Sequence, residues 1–337
     1  MTNYYYYVER VGQSIITIFT VTTFSFFLMR ELPGGPVAFI KAQLVRENQQ
    51  ITQRELNRLV EAYTNLRPDA PLHIQYVNYL ESVLLHFDLG QSYWYGEPVA
   101  DILIKSMPWT IYLSAVALFG GFTFNVLMGS VMAYKESSKF DTSTTVSCLF
   151  FGSVPYYVIA VLLVYVLGFQ LEWFPDGAAY DTQIQAGFNV TFMQSVLYHS
   201  ALPIASLFIA RTAGAIGMRA NAIRVLGEDY LRVARLRGLS ERRIATRYVA
   251  RNAILPAYTS LMISIGTLFG GSVILETIFA YPGVGYYTFQ ALQASDYPLM
   301  MGGFVLTTAA TVIGVLIGDL TYGLVDPRAG GEDREAY

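Results

Sequence analysis

The sequence predicts an all-α integral membrane protein of six transmembrane helices, with a small helical insertion outside the membrane after the first span. Three observations carry this. Of 337 residues, 53% are hydrophobic and 14% are charged, against about 25% charged in an average soluble domain. Residues 11–29, 108–133, 142–171, 252–275 and 297–318 contain no Asp, Glu, Lys or Arg, and 196–218 is interrupted by Arg211 alone; each stretch suffices for a span of about 20 residues. Lys and Arg are one-sided in the short loops, which sets orientation.

The first apolar run is read as a span and not as a cleaved leader. Residues 1–9 carry no basic side chain, the run is longer than a signal core, and no small-x-small site follows it. The loop after span two carries Lys135 and Lys139, the loop after span four carries nine arginines from Arg219 to Arg251, and the tail carries Arg328 and Arg334. The loops 172–195 and 278–296 carry none, so both termini are expected in the cytoplasm.

The chain therefore divides into a cytoplasmic end with span one (1–30), an extracellular helical insertion (31–107), a core with spans two to six (108–325) and a cytoplasmic acidic tail (326–337). In the insertion, Leu56, Leu59, Val60 and Tyr63, then Tyr76, Tyr79, Leu80, Val83 and Leu84, recur at helical spacing. This predicts amphipathic helices over 53–63 and 73–87, with turns at 33–36 and 68–71. Net charge is −3 with arginine in excess of lysine, compatible with adaptation to high salt or with base composition alone.

The most informative stretch is 227–256, GEDYLRVARLRGLSERRIATRYVARNAILP. Glu228 and Asp229 favour a helix start, and Arg232 stands at pairing distance along the helix from either. Gly238 stops that helix, and Ser240 caps a second one running to Pro256. Ala234 leaves the first helix thin on one side for a partner backbone. Tyr230 and Val233 are apolar anchors beside Arg232, Arg235 and Arg237. An ordinary basic loop lying on anionic headgroups is the plain alternative.

That stretch resembles the EAA loop of permease subunits of binding-protein-dependent ABC importers, with Val233, Ala234 and Gly238 in motif positions. More specifically, it is similar to the dipeptide, oligopeptide and nickel branch. LPGGP (32–36), DLGQSY (88–93), ETIFAYPGVG (276–285), SDYPLM (295–300) and DPR (326–328) extend the likeness over the whole chain. The resemblance implies a type I importer permease fold, with the loop 219–252 inserted into an ATPase. Its contacts would come from Glu228, Asp229, Tyr230, Arg232, Val233, Ala234, Arg235, Gly238, Leu239 and Ser240. The motif's namesake glutamate is Arg232 here, so Glu228 or Asp229 would supply any acid. Implied partners are a second homologous permease, two cytoplasmic ATPases, an extracellular solute-binding protein and membrane lipid, with no nucleic acid.

Gly266, Gly270 and Gly271, and Gly314 and Gly318, form small-residue faces for helix packing or a pore lining. Pro155 is either a hinge or a tolerated kink. Asn189 opens an Asn-x-Thr sequon in a loop expected outside. His199 is read as a packed histidine, Cys148 is the only cysteine, and neither a metal nor another cofactor is expected. The chain lacks a phosphate-binding GxxxxGK[ST] motif, so ATP hydrolysis falls to partner subunits. The alternative is a secondary transporter or channel acting without an ATPase. Such a carrier would show midplane carboxylates or broken helices in corresponding halves, and neither is legible. An intramembrane protease is disfavoured because neither GxSxG nor HExxH occurs.

Overall fold

The computed structural model describes residues 4–31, 36–47, 51–64, 70–240 and 243–325. Every regular element among them is helical, apart from one isolated bridge between Gln91 and Pro98. Apolar length marks Val8–Leu28, Val99–Tyr134, Val190–Ala210 and Tyr297–Gly318 as spans, together with the bent pair Lys139–Ser153 and Tyr156–Gln170. By length and composition these account for up to five of the six expected spans. The landmarks at 32–35 and 326–328, the turn at 68 and the acidic tail lie outside the described residues.

The sixth expected stretch, 252–275, is not one helix. It runs as Leu255–Gly266, a 3₁₀ turn Thr267–Gly270, and the short helix Val273–Ile278. Glycine costs roughly 1 kcal/mol relative to alanine in a helix interior, and Gly271 takes φ +61°, a left-handed value that stops helix propagation. Gly266 and Gly270 therefore do not share a face of one α-helix, contrary to the expectation. Gly314 and Gly318 do: both are buried within Tyr297–Val325, while Ile313, Val315 and Ile317 are exposed.

Two further breaks correct the reading of unbroken spans. Val154 is extended (ψ 126°) because it precedes a proline, and Pro155 starts the next helix, so the axis turns by 92°. Pro155 thus ends a helix outright. The expected fourth span stops at Ala210, makes a turn at Arg211, Thr212 and Ala213, and resumes as Gly214–Leu226.

The chain forms two compact units, Met1–Ile111 with Gly266–Tyr337, and Tyr112–Ile265. In the first, the helix Tyr4–Glu31 (α1) packs along the last helix. The insertion contributes Pro36–Glu47 (α2), Gln53–Thr64 (α3) and Leu72–Leu85 (α4). Leu56 and Val60 of α3 bury against Ile40 and Leu44 of α2. Tyr79 and Val83 of α4 enter a shared core with Phe26, Leu299 and Val305. Of the residues at helical spacing, Leu56, Val60, Tyr79 and Val83 are buried, whereas Leu84 is exposed and Gln75 is buried beside Tyr79. The second unit contains the remainder of Val99–Tyr134 (α5), Lys139–Ser153 (α6), Tyr156–Leu163 (α7) with its π-helical continuation, Val190–Ala210 (α8), Gly214–Leu226 (α9) and the basic loop.

Candidate functional site

The basic loop of the second unit is a folded element. Glu228 is the N-cap of Asp229–Leu236 (α10), without a side-chain cap bond. Gly238 follows at φ +70°. The Leu239 amide donates to the Ala234 carbonyl at 3.2 Å, and the Gly238 amide to that of Arg235 at 2.9 Å, closing the helix with a left-handed glycine. Among the described residues no atom lies within 4 Å of a Cβ placed on Gly238, and its positive φ favours glycine there. The Arg243 and Ile244 amides then donate to the Ser240 carbonyl. The second arm is a π-helical stretch, Ile244–Val249, followed by Ala250–Ala253.

Leu231 and Ala234 face inward and pack on Ile244 and Val249. The close neighbour of Ala234 is thus the other arm of the same loop. The expectation that Ala234 admits a partner backbone is corrected: at 4% exposure it has no free face. Tyr230, Val233 and Leu236 point outward, with Leu236 81% exposed. Arg232, Arg235 and Arg237 are exposed beside them. Among the described residues, Arg232 forms no ion pair with Glu228 or Asp229. The Asn252 side-chain amide donates to the Tyr230 hydroxyl at 3.0 Å and to the Tyr248 carbonyl at 2.9 Å, tying α10 to the second arm.

The loop is carried by α9, and α9 is held by an ion pair. The Arg219 guanidinium donates to both oxygens of Asp141, Nε to Oδ1 at 2.6 Å and Nη2 to Oδ2 at 2.7 Å. Asp141 also accepts the Ser137 amide at 3.1 Å, while its own amide donates to Ser138 Oγ. The fork geometry fixes orientation as well as distance. Beside it, a Cβ on Gly129 would lie 2.7 Å from Met218 Cβ and 2.9 Å from the Arg219 amide, so α5 and α9 cross with no room for a side chain. Asp141 was not singled out in the sequence. Its only local signal is the Ser138 cap preceding it, which says nothing about Arg219.

In the first unit, the shared landmarks meet one another. Asp296 of SDYPLM accepts from Ser92 Oγ of DLGQSY at 2.5 Å, from the Trp94 amide at 3.0 Å and from the Leu299 amide at 3.2 Å. Glu276 of ETIFAYPGVG is 1% exposed. It accepts from Thr110 Oγ1 at 2.9 Å and from the Tyr286 amide at 3.1 Å. The Val284 amide in turn donates to Thr110 Oγ1 at 2.9 Å. Gly271, Gly283 and Gly285 surround this carboxylate closely enough that a Cβ on any of them would collide. Glu276 is therefore a buried hub.

Asn189 is the N-cap of α8: its Oδ1 accepts the Phe192 amide at 2.8 Å, and its Nδ2 donates to the Gln185 carbonyl at 3.2 Å. The sequon amide already has a structural task. His199 is engaged by the Ser195 carbonyl 2.8 Å from Nδ1.

Residues 125–331 match the family described as the inner membrane component of binding-protein-dependent transport systems. This chain belongs to that family. It is 30% identical over 328 residues to the oligopeptide transport system permease protein AppB of Bacillus subtilis (strain 168), covering 96% of this chain and 98% of that protein. It is also 32% identical over 335 residues to the di/tripeptide transport system permease protein DppB of Pseudomonas aeruginosa (strain UCBPP-PA14), covering 95% and 97%. The matched region of this inner membrane component contains the whole basic loop, the Asp141–Arg219 pair, Glu276 and Asp296. The partners Ser92 and Thr110 fall outside it.

Proposed function

We propose that this chain is one of two homologous permease subunits of an ABC importer that moves di- or oligopeptides, driven by two separate cytoplasmic ATPases. An extracellular solute-binding protein delivers the solute, and the surrounding lipid is the cell membrane. Both termini and the loop 219–252 lie in the cytoplasm, and residues 31–107 lie outside, on the Lys and Arg distribution. The peptide assignment rests on the names of the relatives.

One observation carries the coupling role. Tyr230, Val233 and Leu236 form an exposed apolar strip on α10, framed by arginines, on a loop with its own buried core. Apolar anchors inside a charged rim are the composition of a docking surface. Closure of the ATPases on ATP moves this rigid knob, and α9, clamped by Asp141, passes the motion to the spans. Glu228 and Asp229 place negative charge at the tip of α10, and Gly238, Leu239 and Ser240 set the turn behind it.

Purification from native membranes tests the proposal. A second permease and two ATPases should accompany the chain, and peptide uptake by the reconstituted complex should require ATP and binding protein. Isolation of the chain alone, with uptake surviving ATP depletion, would replace it with the secondary transporter reading.

A further inference from the structure

We infer that a cavity at the break in the fourth span, lined by Arg211, is a solute site that grips the C-terminal carboxylate of the transported peptide. The inference rests on the peptide importer reading above. The cavity lies wholly within the Tyr112–Ile265 unit, measures about 620 Å³, and is lined by Asn125, Arg211, Asn221, Ser260 and Ser264 among small and apolar residues. This is an ordinary size for a small-molecule site. Interrupted spans are where membrane carriers place binding groups, because backbone released from a helix must line a cavity or pack within protein.

The chemistry is specific. Arg211 caps the end of α8, and its stem lies along Gly121, 3.7–3.8 Å from where a Cβ there would sit. Among the described residues no carboxylate pairs with it. Arg211 stands in the turn that follows Val190–Ala210, exposed and without a counter-ion, and the ligand that best matches its planar fork is a carboxylate held by two parallel bonds. The Asn125 amide nitrogen donates to the Arg211 carbonyl at 3.1 Å, which leaves Oδ1 as the acceptor, and that oxygen is buried with no donor. The Ser260 hydroxyl donates to the Pro256 carbonyl at 3.1 Å, so toward a ligand it offers lone pairs. One cation with acceptors around it suits a molecule carrying a carboxylate next to N–H donors, as the last residue of a peptide does. A lipid phosphodiester satisfies the cation and leaves the acceptors without donors.

The test uses the complete importer in proteoliposomes with saturating solute-binding protein, and it compares uptake of trialanine with that of its C-terminal amide. Each rate is normalised to occupancy of the binding protein. The wild-type complex should favour the free acid by at least about tenfold, the worth of one hydrogen bond to a charged group. Arg211→Ala should bring that ratio close to one, and Arg211→Lys should keep part of the preference, in complexes of full subunit composition. A preference unchanged in Arg211→Ala would overturn the inference, as would a ratio that follows the anionic lipid content of the vesicle instead of the peptide terminus. Failure of the wild-type complex to take up either peptide would instead remove the importer reading beneath it.

Discussion

Ser92 and Asp296 are 204 residues apart in the chain, yet Ser92 Oγ lies 2.5 Å from Asp296 Oδ2, with both side chains fully buried. Two short segments useful as family landmarks are thus the two halves of one latch. Asp296→Ala would leave Ser92 and the Trp94 and Leu299 amides without their acceptor. Buried donors lose roughly 1–3 kcal/mol each when stranded, so the loss should exceed about 3 kcal/mol. Ser92→Ala should cost about 1 kcal/mol. Thermal unfolding of the detergent-solubilised protein reads both; equal, small shifts would show that the latch does not support the first unit.

Around Glu276 the decisive factor is space. A Cβ at Gly285 would stand 2.8 Å from Val273 Cα and 2.9 Å from its amide nitrogen, backbone atoms that cannot swing aside. Gly285→Ala should therefore cost roughly 1–3 kcal/mol as overpacking. Gly12→Ala, in α1 with nothing within 4 Å, should be neutral or stabilise by up to about 1 kcal/mol. Opposite signs of the two melting shifts are the expected result.

The Asp141–Arg219 pair predicts a charge-reversal rescue. Arg219→Asp places two carboxylates at one site and should release α9 and the basic loop, with loss of ATPase subunits on purification. Combining it with Asp141→Arg should restore part of the association, because the fork can re-form in reverse. A double variant no better than the single one would mean that the pair does not hold the loop.

The coupling surface is best tested through Leu236, since Ala234 belongs to the loop's own core. Leu236→Glu leaves the Leu231–Ile244 packing untouched and should abolish co-purification of the ATPases while membrane insertion stays normal. Gly238→Val should have a similar effect by another route, because a β-branched residue at φ +70° strains the turn by about 1 kcal/mol or more. A loop resting only on lipid would tolerate both, and uptake would then be unchanged.

Orientation is tested by single cysteines in a Cys148→Ser background. Positions Asp181 and Gln290 should react with an impermeant maleimide in intact cells, and Ser137 and Ser240 only after permeabilisation. Labelling of Ser240 in intact cells would invert the topology.

Much of this protein was legible before any coordinates. Long uncharged stretches can be satisfied only as helices in lipid, so composition alone established the class. The apolar spacing in 53–63 and 73–87 picked out Leu56, Val60, Tyr79 and Val83, which are buried, because side chains three and four apart share a helix face; it also picked Leu84, which is exposed. The turn at Gly238 followed from glycine's unique tolerance of positive φ. What required the tertiary structure was every relationship between distant residues. Asp141 with Arg219, Ser92 with Asp296 and Thr110 with Glu276 depend on which helices become neighbours, and no local pattern encodes that. The inward turn of Ala234 was hidden for the same reason: periodicity defines a face, and only the second arm of the loop decides whether that face is covered. The break at 267–272 is where local and global terms compete, since an apolar stretch favours a span while a glycine run beside a buried Glu276 favours close packing; in the folded chain the packing prevails.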